Sequence, residues 1–292
     1  MDTIKQLQHQ LKEAQYFANK ETAQAVRAAL VLEKPLLIEG PPGVGKTAVA
    51  HALSKIFDQK LLRVQCYEGI EADQLLYDYN YAKQLLMISM IKDQIHKKIE
   101  NKSIKKAIET LDKEEVFWGE KFLIKRPVLQ AIVPESGKKQ VLLIDEVDKT
   151  EKNAEALLLE VLSEYSVSIP EYGTVKATVK PVVVLTGNRT RQLTDALRRR
   201  CVYLYIDYPD LATEKAIVNL HEPDADEEYL ARVVDAVQKI RKLPLKHISA
   251  VSETIEVVKL LIAANGESDG WINLLGKHSE DIQTIKNSGI EL

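Results

Sequence analysis

Apolar residues along this chain follow two kinds of spacing. Over residues 2–33, Ile4, Leu7, Leu11 and Ala14 recur at helical intervals, and Ala25, Ala28, Ala29 and Leu32 do so again. This spacing predicts two helices, the second ended by Pro35. Short unbroken apolar runs follow at Pro35–Glu39, Leu61–Cys66, Val141–Ile144, Pro181–Thr186 and Val202–Ile206. Such runs are what strands buried on both faces require. Amphipathic stretches at about Lys46–Phe57 and Lys152–Glu164 read as helices. Strands alternating with helices predict an α/β fold, a parallel five-stranded sheet flanked by helices.

Three stretches depart from this rhythm. From about Tyr77 to Trp118 the chain is lysine-rich and reads as helical, with Ile91, Ile95 and Ile99 on one face among Lys92, Lys97, Lys98 and Lys102. It has the character of an insertion, and a solvated excursion and a partner-binding surface explain it equally well. Ser166–Lys180 alternates around Pro170 and Gly173, which predicts a β-hairpin. Beyond Pro209 strand signals stop and helices run from about Thr213 to the end. A boundary at Asp207–Asp210 therefore divides an α/β domain, residues 1–208, from a small all-α domain, residues 209–292.

Composition narrows the function classes. The 292 residues are 45% hydrophobic and 28% charged, as in a soluble globular protein. A net charge of −3 argues against non-specific nucleic-acid binding as the main task, since neutralising phosphates needs a basic surface. Cys66 and Cys201 form no CxxC pair and read as small buried residues in a reducing compartment. The six histidines lie far apart without ligand spacing, so no zinc site is expected. Met1–Lys5 lacks a signal-peptide profile, and the apolar run Leu85–Ile91 is too short to span a bilayer. A cytoplasmic location is the expectation.

The chemistry concentrates where strands end. Gly40-Pro41-Pro42-Gly43-Val44-Gly45-Lys46-Thr47 matches GxxxxGK[ST], with a strand before it and a helix after it. Its glycines let backbone N–H groups, through that of Ala48, approach phosphates at a helix N-terminus. Lys46 suits the β and γ phosphates of ATP, and the Thr47 hydroxyl suits Mg²⁺. Val141–Ile144 closes in Asp145-Glu146: Asp145 suits the hydration shell of that Mg²⁺, Glu146 the polarisation of an attacking water. Asn188, after the strand Val182–Thr186, is placed to hold the same water, although an Asn after a strand is by itself usually a turn former. Arg198-Arg199-Arg200 reads either as a solvated basic face or as a source of an arginine that reaches a neighbouring subunit's γ phosphate.

These residues, in this order, resemble the AAA+ ATPases. GPPGVGKT, VLLIDEVDK, VSIPEYGTVKA and VVVLTGNRTRQLTDALRRRCVYLYIDYP are similar to the MoxR family. RVQCYEGIEADQLLYDYNYAKQLL and EKFLIKRPVLQAI are similar to its CoxD-like branch, linked to carbon monoxide dehydrogenase maturation. The resemblance implies Lys46 and Thr47 as the Walker A pair, Asp145 and Glu146 as Walker B, and Asn188 as sensor 1. It implies Arg200 as the arginine finger, with Arg199 as the alternative, and Gln65 as a polar switch on Glu146. It offers Tyr16 and Phe17 as neighbours of the adenine, against which an apolar helix face is the simpler reading. It implies a homo-oligomeric ring, a hexamer, that remodels a client protein beside a von Willebrand factor A domain partner. The client it implies is a metalloenzyme, with molybdenum as the metal; a nucleic-acid motor and an ATP-dependent scaffold are the alternatives. One departure is plain: where the family carries a sensor 2 arginine, this chain reads Val251-Ser252-Glu253-Thr254, and Arg241 lies off the matching place.

Overall fold

The computed structural model describes residues 3–87, 89–90, 122–169, 173–264 and 270–291. Helices α1 (Ile4–Glu13) and α2 (Lys20–Leu32) lead into strand β1 (Leu36–Glu39), helix α3 (Lys46–Ile56) and strand β2 (Leu61–Gln65). Then come α4 (Ala72–Leu76), β3 (Tyr77–Tyr79), β4 (Leu123–Lys125), α5 (Pro127–Ile132), β5 (Val141–Asp145), α6 (Lys152–Glu164), β6 (Ser166–Ile169) and β7 (Gly173–Lys176). Strand β8 (Val182–Gly187), α7 (Asp195–Arg200) and β9 (Val202–Tyr205) complete the α/β part. Helices α8 (Leu211–His221), α9 (Glu227–Ile240), α10 (Val251–Ala263), α11 (Trp271–Leu275) and α12 (Ser279–Asn287) follow.

The main sheet has five strands in the order β2-β5-β8-β1-β9, each neighbouring pair parallel. Its central strands show why their sequences lack polar alternation. Leu37, Leu142, Ile144, Val183 and Leu185 enter a core on one face. Leu36, Ile38, Val141, Leu143, Val182 and Val184 enter a second core on the other. Helices cover both faces, so both sets of alternating side chains must be apolar. Side chains with charge can then be placed only at the strand ends.

The sequence expectation of a helix from Tyr77 is corrected. Tyr77–Tyr79 is a strand, paired antiparallel with Leu123–Lys125. Tyrosines and a short alternating run suit an extended ribbon. Residues 81–87 are helical, while residues 91–121, most of the expected insertion, lie outside the described residues. The expected hairpin is present as β6 and β7, antiparallel with Val167 opposite Val175; residues 170–172 lie outside the description.

Helices α8 to α12 gather around a third core that includes Val218, Val233, Val237, Val257, Leu261 and Trp271. A buried ion pair holds this segment together. Glu214, 0% exposed, accepts two hydrogen bonds from Arg241, at 2.5 and 2.6 Å. Thr254 and Gln238 each donate to the same carboxylate at 2.6 Å. Arg241 also donates to the Ser249 carbonyl at 2.7 Å, which fixes the chain entering α10. Among the described residues no helix is long and apolar enough to cross a membrane.

Removing Glu214 would leave the Arg241 guanidinium buried and unpaired. Glu214→Ala is therefore expected to destabilise the chain by about 3–5 kcal/mol, read as a lowered denaturation midpoint.

Candidate nucleotide-binding site

The loop from Gly40 to Thr47 leaves β1 at the carboxyl edge of the sheet and feeds α3. Close approach dictates two of its glycines. A Cβ on Gly40 would stand 1.9 Å from the Ile206 carbonyl oxygen. Gly43 has φ +76°, and a Cβ there would stand 2.1 Å from that of Ala250, at the start of α10. Lys46 is buried, and its ammonium donates to the carbonyls of Gly40, at 2.9 Å, and Pro41, at 2.6 Å. Burial pulls its pKa below the usual lysine range, opposed by the charges of Asp148, Asp145 and Glu146.

Strands β2, β5 and β8 end beside this loop, and residues at or near their ends bond to one another. Asp145, at the tip of β5, accepts from Thr47 Oγ1 at 3.2 Å and from Thr186 Oγ1 of β8. Its second oxygen accepts from Arg63 Nη2 of β2 at 2.6 Å. Glu146 accepts from Gln65 Nε2 at 2.9 Å and from Asn188 Nδ2 at 3.2 Å. Lys149 Nζ stands 2.7 Å from the same carboxylate. Glu146 itself has φ +56°, a left-handed conformation that a non-glycine residue adopts at a cost. Its N–H donates to Thr186 Oγ1 at 3.0 Å, which helps hold that conformation.

The structure thus brings Lys46, Thr47, Asp145, Glu146 and Asn188 together, with Gln65 in contact with Glu146. It does not bring the arginines of α7 to them. Arg199 and Arg200 are exposed at the end of that helix. Arg198 instead donates to Glu39 at 2.6 Å. Glu39 ends β1, is 1% exposed, and also accepts from Tyr203 at 3.0 Å. The three arginines are therefore not one solvated face.

Beside the loop lies a cavity of about 620 Å³. Gly43, Val44, Gly45 and Ala48 line it from one side, Val251 and Ser252 from the helical segment, and Tyr208 from the connection between the two. Tyr16 and Phe17 line it too, which corrects the reading of an apolar helix face. Helix α1 ends at Glu13, Gln15 turns at φ +66°, and α2 begins only at Lys20. Both rings thus stand on the connection, not on a helix. Burial pushes the Tyr16 phenol pKa up, as fits an apolar wall. Arg241, committed to Glu214, stacks over Tyr208 at 5.7 Å but does not line the cavity.

Sequence reasoning missed Arg63, Asp148, Lys149, Thr186 and Thr190. A threonine ending an otherwise apolar strand, and an aspartate three residues past Asp145, were the available signals.

The model of the AAA domain, dynein-related subfamily, matches residues 35–201. The chain belongs to this AAA family. It carries an AAA ATPase domain, a nucleotide-binding unit, on the sheet described above. It is 27% identical over 226 residues to the gas vesicle ATPase GvpN2 of Halobacterium salinarum, covering 74% of this chain and 59% of that protein. It is 25% identical over 228 residues to the gas vesicle ATPase GvpN of Haloferax mediterranei, with the same coverage. The chain thus spans about three fifths of the length of these relatives. A solved structure of the Thermotoga maritima RuvB Holliday junction branch migration motor aligns with 96% of this chain and 69% of its own, at 14% identity and a TM-score of 0.44.

Of the two thiols of this AAA chain, Cys66 is buried and Cys201 half-buried. Burial pushes the pKa of Cys66 and of Cys201 up to about 12. At pH 8 roughly one thiol in ten thousand would be ionised. A thiol-reactive chromogen is expected to label neither in the native protein over a time in which both react after denaturation.

Proposed function

We propose that this chain is a MoxR-type AAA+ ATPase that couples Mg-ATP hydrolysis to remodelling or maturation of a client protein complex. The observation that carries the proposal is the convergence of Lys46, Asp145, Glu146 and Asn188 at one sheet edge, beside a cavity of nucleotide size. The loop amides from Gly43 to Ala48 and the Lys46 ammonium bind the phosphates. Tyr16, Phe17 and Tyr208 offer the base an aromatic wall. The Thr47 hydroxyl and the Asp145 carboxylate, 3.2 Å apart, are hard oxygen donors that fit Mg²⁺ through its water shell. The ion would supply neutralisation of charge on the β and γ phosphates.

Glu146 accepts a proton from water while the water oxygen forms a bond to the γ phosphorus. The bond from that phosphorus to the β,γ-bridging oxygen breaks, and ADP and inorganic phosphate leave. Asn188, bonded to Glu146, orients the water between them. Gln65 competes for the same carboxylate and so serves as a switch on its basicity.

The last component comes from outside the chain. Arg199 and Arg200 are exposed, whereas Arg198 bonds to Glu39 and anchors the end of their helix. We assign Arg200, with Arg199 as the alternative, to the γ phosphate of a neighbour in a hexameric ring. Helices α8 to α12 act as the lid. A von Willebrand factor A domain partner and a metalloenzyme client follow from the likeness to the CoxD-like branch, and the two isolated thiols suit the cytoplasm. Similarity to ATPases named for the gas vesicle, and a net charge of −3, support a protein client over a nucleic acid.

Lys46→Ala is expected to abolish nucleotide binding. Glu146→Gln should bind ATP and lose turnover by about 10²–10⁴-fold. Arg200→Ala should lower the ATPase rate by up to about 10³–10⁵-fold and remove its dependence on protein concentration. Retained turnover in Glu146→Gln, or a rate independent of concentration in the parent chain, would contradict the assignment. Affinity capture on the Glu146→Gln chain in ATP tests the client; a rate raised by DNA at physiological salt would replace the protein client with a nucleic acid.

A further inference from the structure

We propose that Asp148 is a positioning residue for hydrolysis: its buried carboxylate shapes the Asn188 loop and so aims the Asn188 amide at Glu146. The inference rests on the roles proposed above for Glu146 and Asn188.

Asp148 lies in the short 3-10 turn, Val147–Lys149, that follows Glu146, and it is 3% exposed. One of its oxygens receives three hydrogen bonds from the loop after β8. The Asn188 N–H donates at 3.1 Å, the Thr190 N–H at 2.8 Å and the Thr190 hydroxyl at 2.7 Å. Arg189, between the two amide donors, has φ +62°. That left-handed residue turns both flanking N–H groups toward one point, a concave set of backbone donors suited to an anion. A non-glycine residue holds this conformation only where its surroundings compensate, and the carboxylate is the compensation.

The other side of the carboxylate is shaped as well. Its second oxygen packs against Gly187, where a Cβ would stand 3.4 Å away. Burial disfavours ionisation of Asp148, but the bonds from Thr190 and Asn188 outweigh it and hold the pKa below the ordinary carboxylate range. The group is therefore an anion at neutral pH, as three donors require. Its charge is also the foremost of the three that oppose the effect of burial on Lys46.

The consequence for the site is geometric. Asn188 is held through its backbone by Asp148 while its side chain reaches Glu146 at 3.2 Å. Glu146 opens the turn that carries Asp148. One buried carboxylate thus locks the general base and its orienting amide into a common frame, two residues away in one direction and forty in the other. A displacement of about 1 Å between such groups is enough to cost on the order of 10²-fold in rate.

Asp148→Asn keeps the shape and removes the anion. The expected result is a kcat lowered about 10- to 100-fold, a dissociation constant for a fluorescent ATP analogue within about twofold of the parent, and lost hydrogen-exchange protection at the Asn188 and Thr190 amides. Thr190→Val, which removes one of three donors, should give a smaller kcat loss with binding unchanged. A kcat within twofold of the parent in Asp148→Asn, or nucleotide binding lost in parallel with kcat, overturns the proposal. Should Asp148→Asn fail to fold, Thr190→Val decides: lowered kcat with intact binding supports it, unchanged kcat overturns it. Glu146→Gln and Asn188→Ala run alongside. If these two keep full turnover, the reading of the site fails; if they lose it while folded Asp148→Asn and Thr190→Val do not, only the present inference fails.

Discussion

Burial of the central sheet on both faces is the constraint from which the rest of this molecule follows. A strand packed between two helical layers has no side on which to carry a polar residue, because an unpaired buried charge costs several kcal/mol. Charge is thereby driven to the ends of β1 and β5 and onto the edge strand β2. There it is paired with whatever the strand order places next to it. Asp145 meets Thr186 because β5 lies beside β8, and meets Arg63 because β2 lies on its other side. The polar network is a map of the sheet order.

That network is fully intramolecular at one side and open at the other. Glu39 closes β1 as a buried anion and is satisfied by Arg198 and Tyr203. Arg198 is thereby half-buried against the sheet, while the next two arginines stay exposed. A run of three identical residues thus carries two different physical tasks, and the division is set by helical geometry: one face of α7 points at the sheet, the other away from it.

The strands, the flanking helices and the phosphate loop were readable from residue order, because each depends on local spacing and on one contiguous motif. So were Asp145, Glu146 and Asn188, which stand at strand ends. Arg63 and Asp148 were not, because their meaning depends on partners 82 and 40 residues distant that only the folded sheet supplies. Tyr16 and Phe17 misled for a different reason. Apolar residues continue at helical spacing after Ala14, yet the left-handed Gln15 has already ended the helix, and spacing carries no record of a backbone dihedral. Tyr77–Tyr79 likewise pairs with a strand more than forty residues on.

The contact between Gly43 and Ala250 has a further meaning. Directly before the stretch where relatives by resemblance place an arginine, this chain sets the methyl group of Ala250 against a glycine. At this point the helical segment meets the phosphate loop by shape. Charge-based sensing weakens as salt screens it, whereas steric contact does not. A loop that swells by even a fraction of an ångström on taking up a ligand would push directly on the start of α10, and the push would be the same in dilute buffer and in brine.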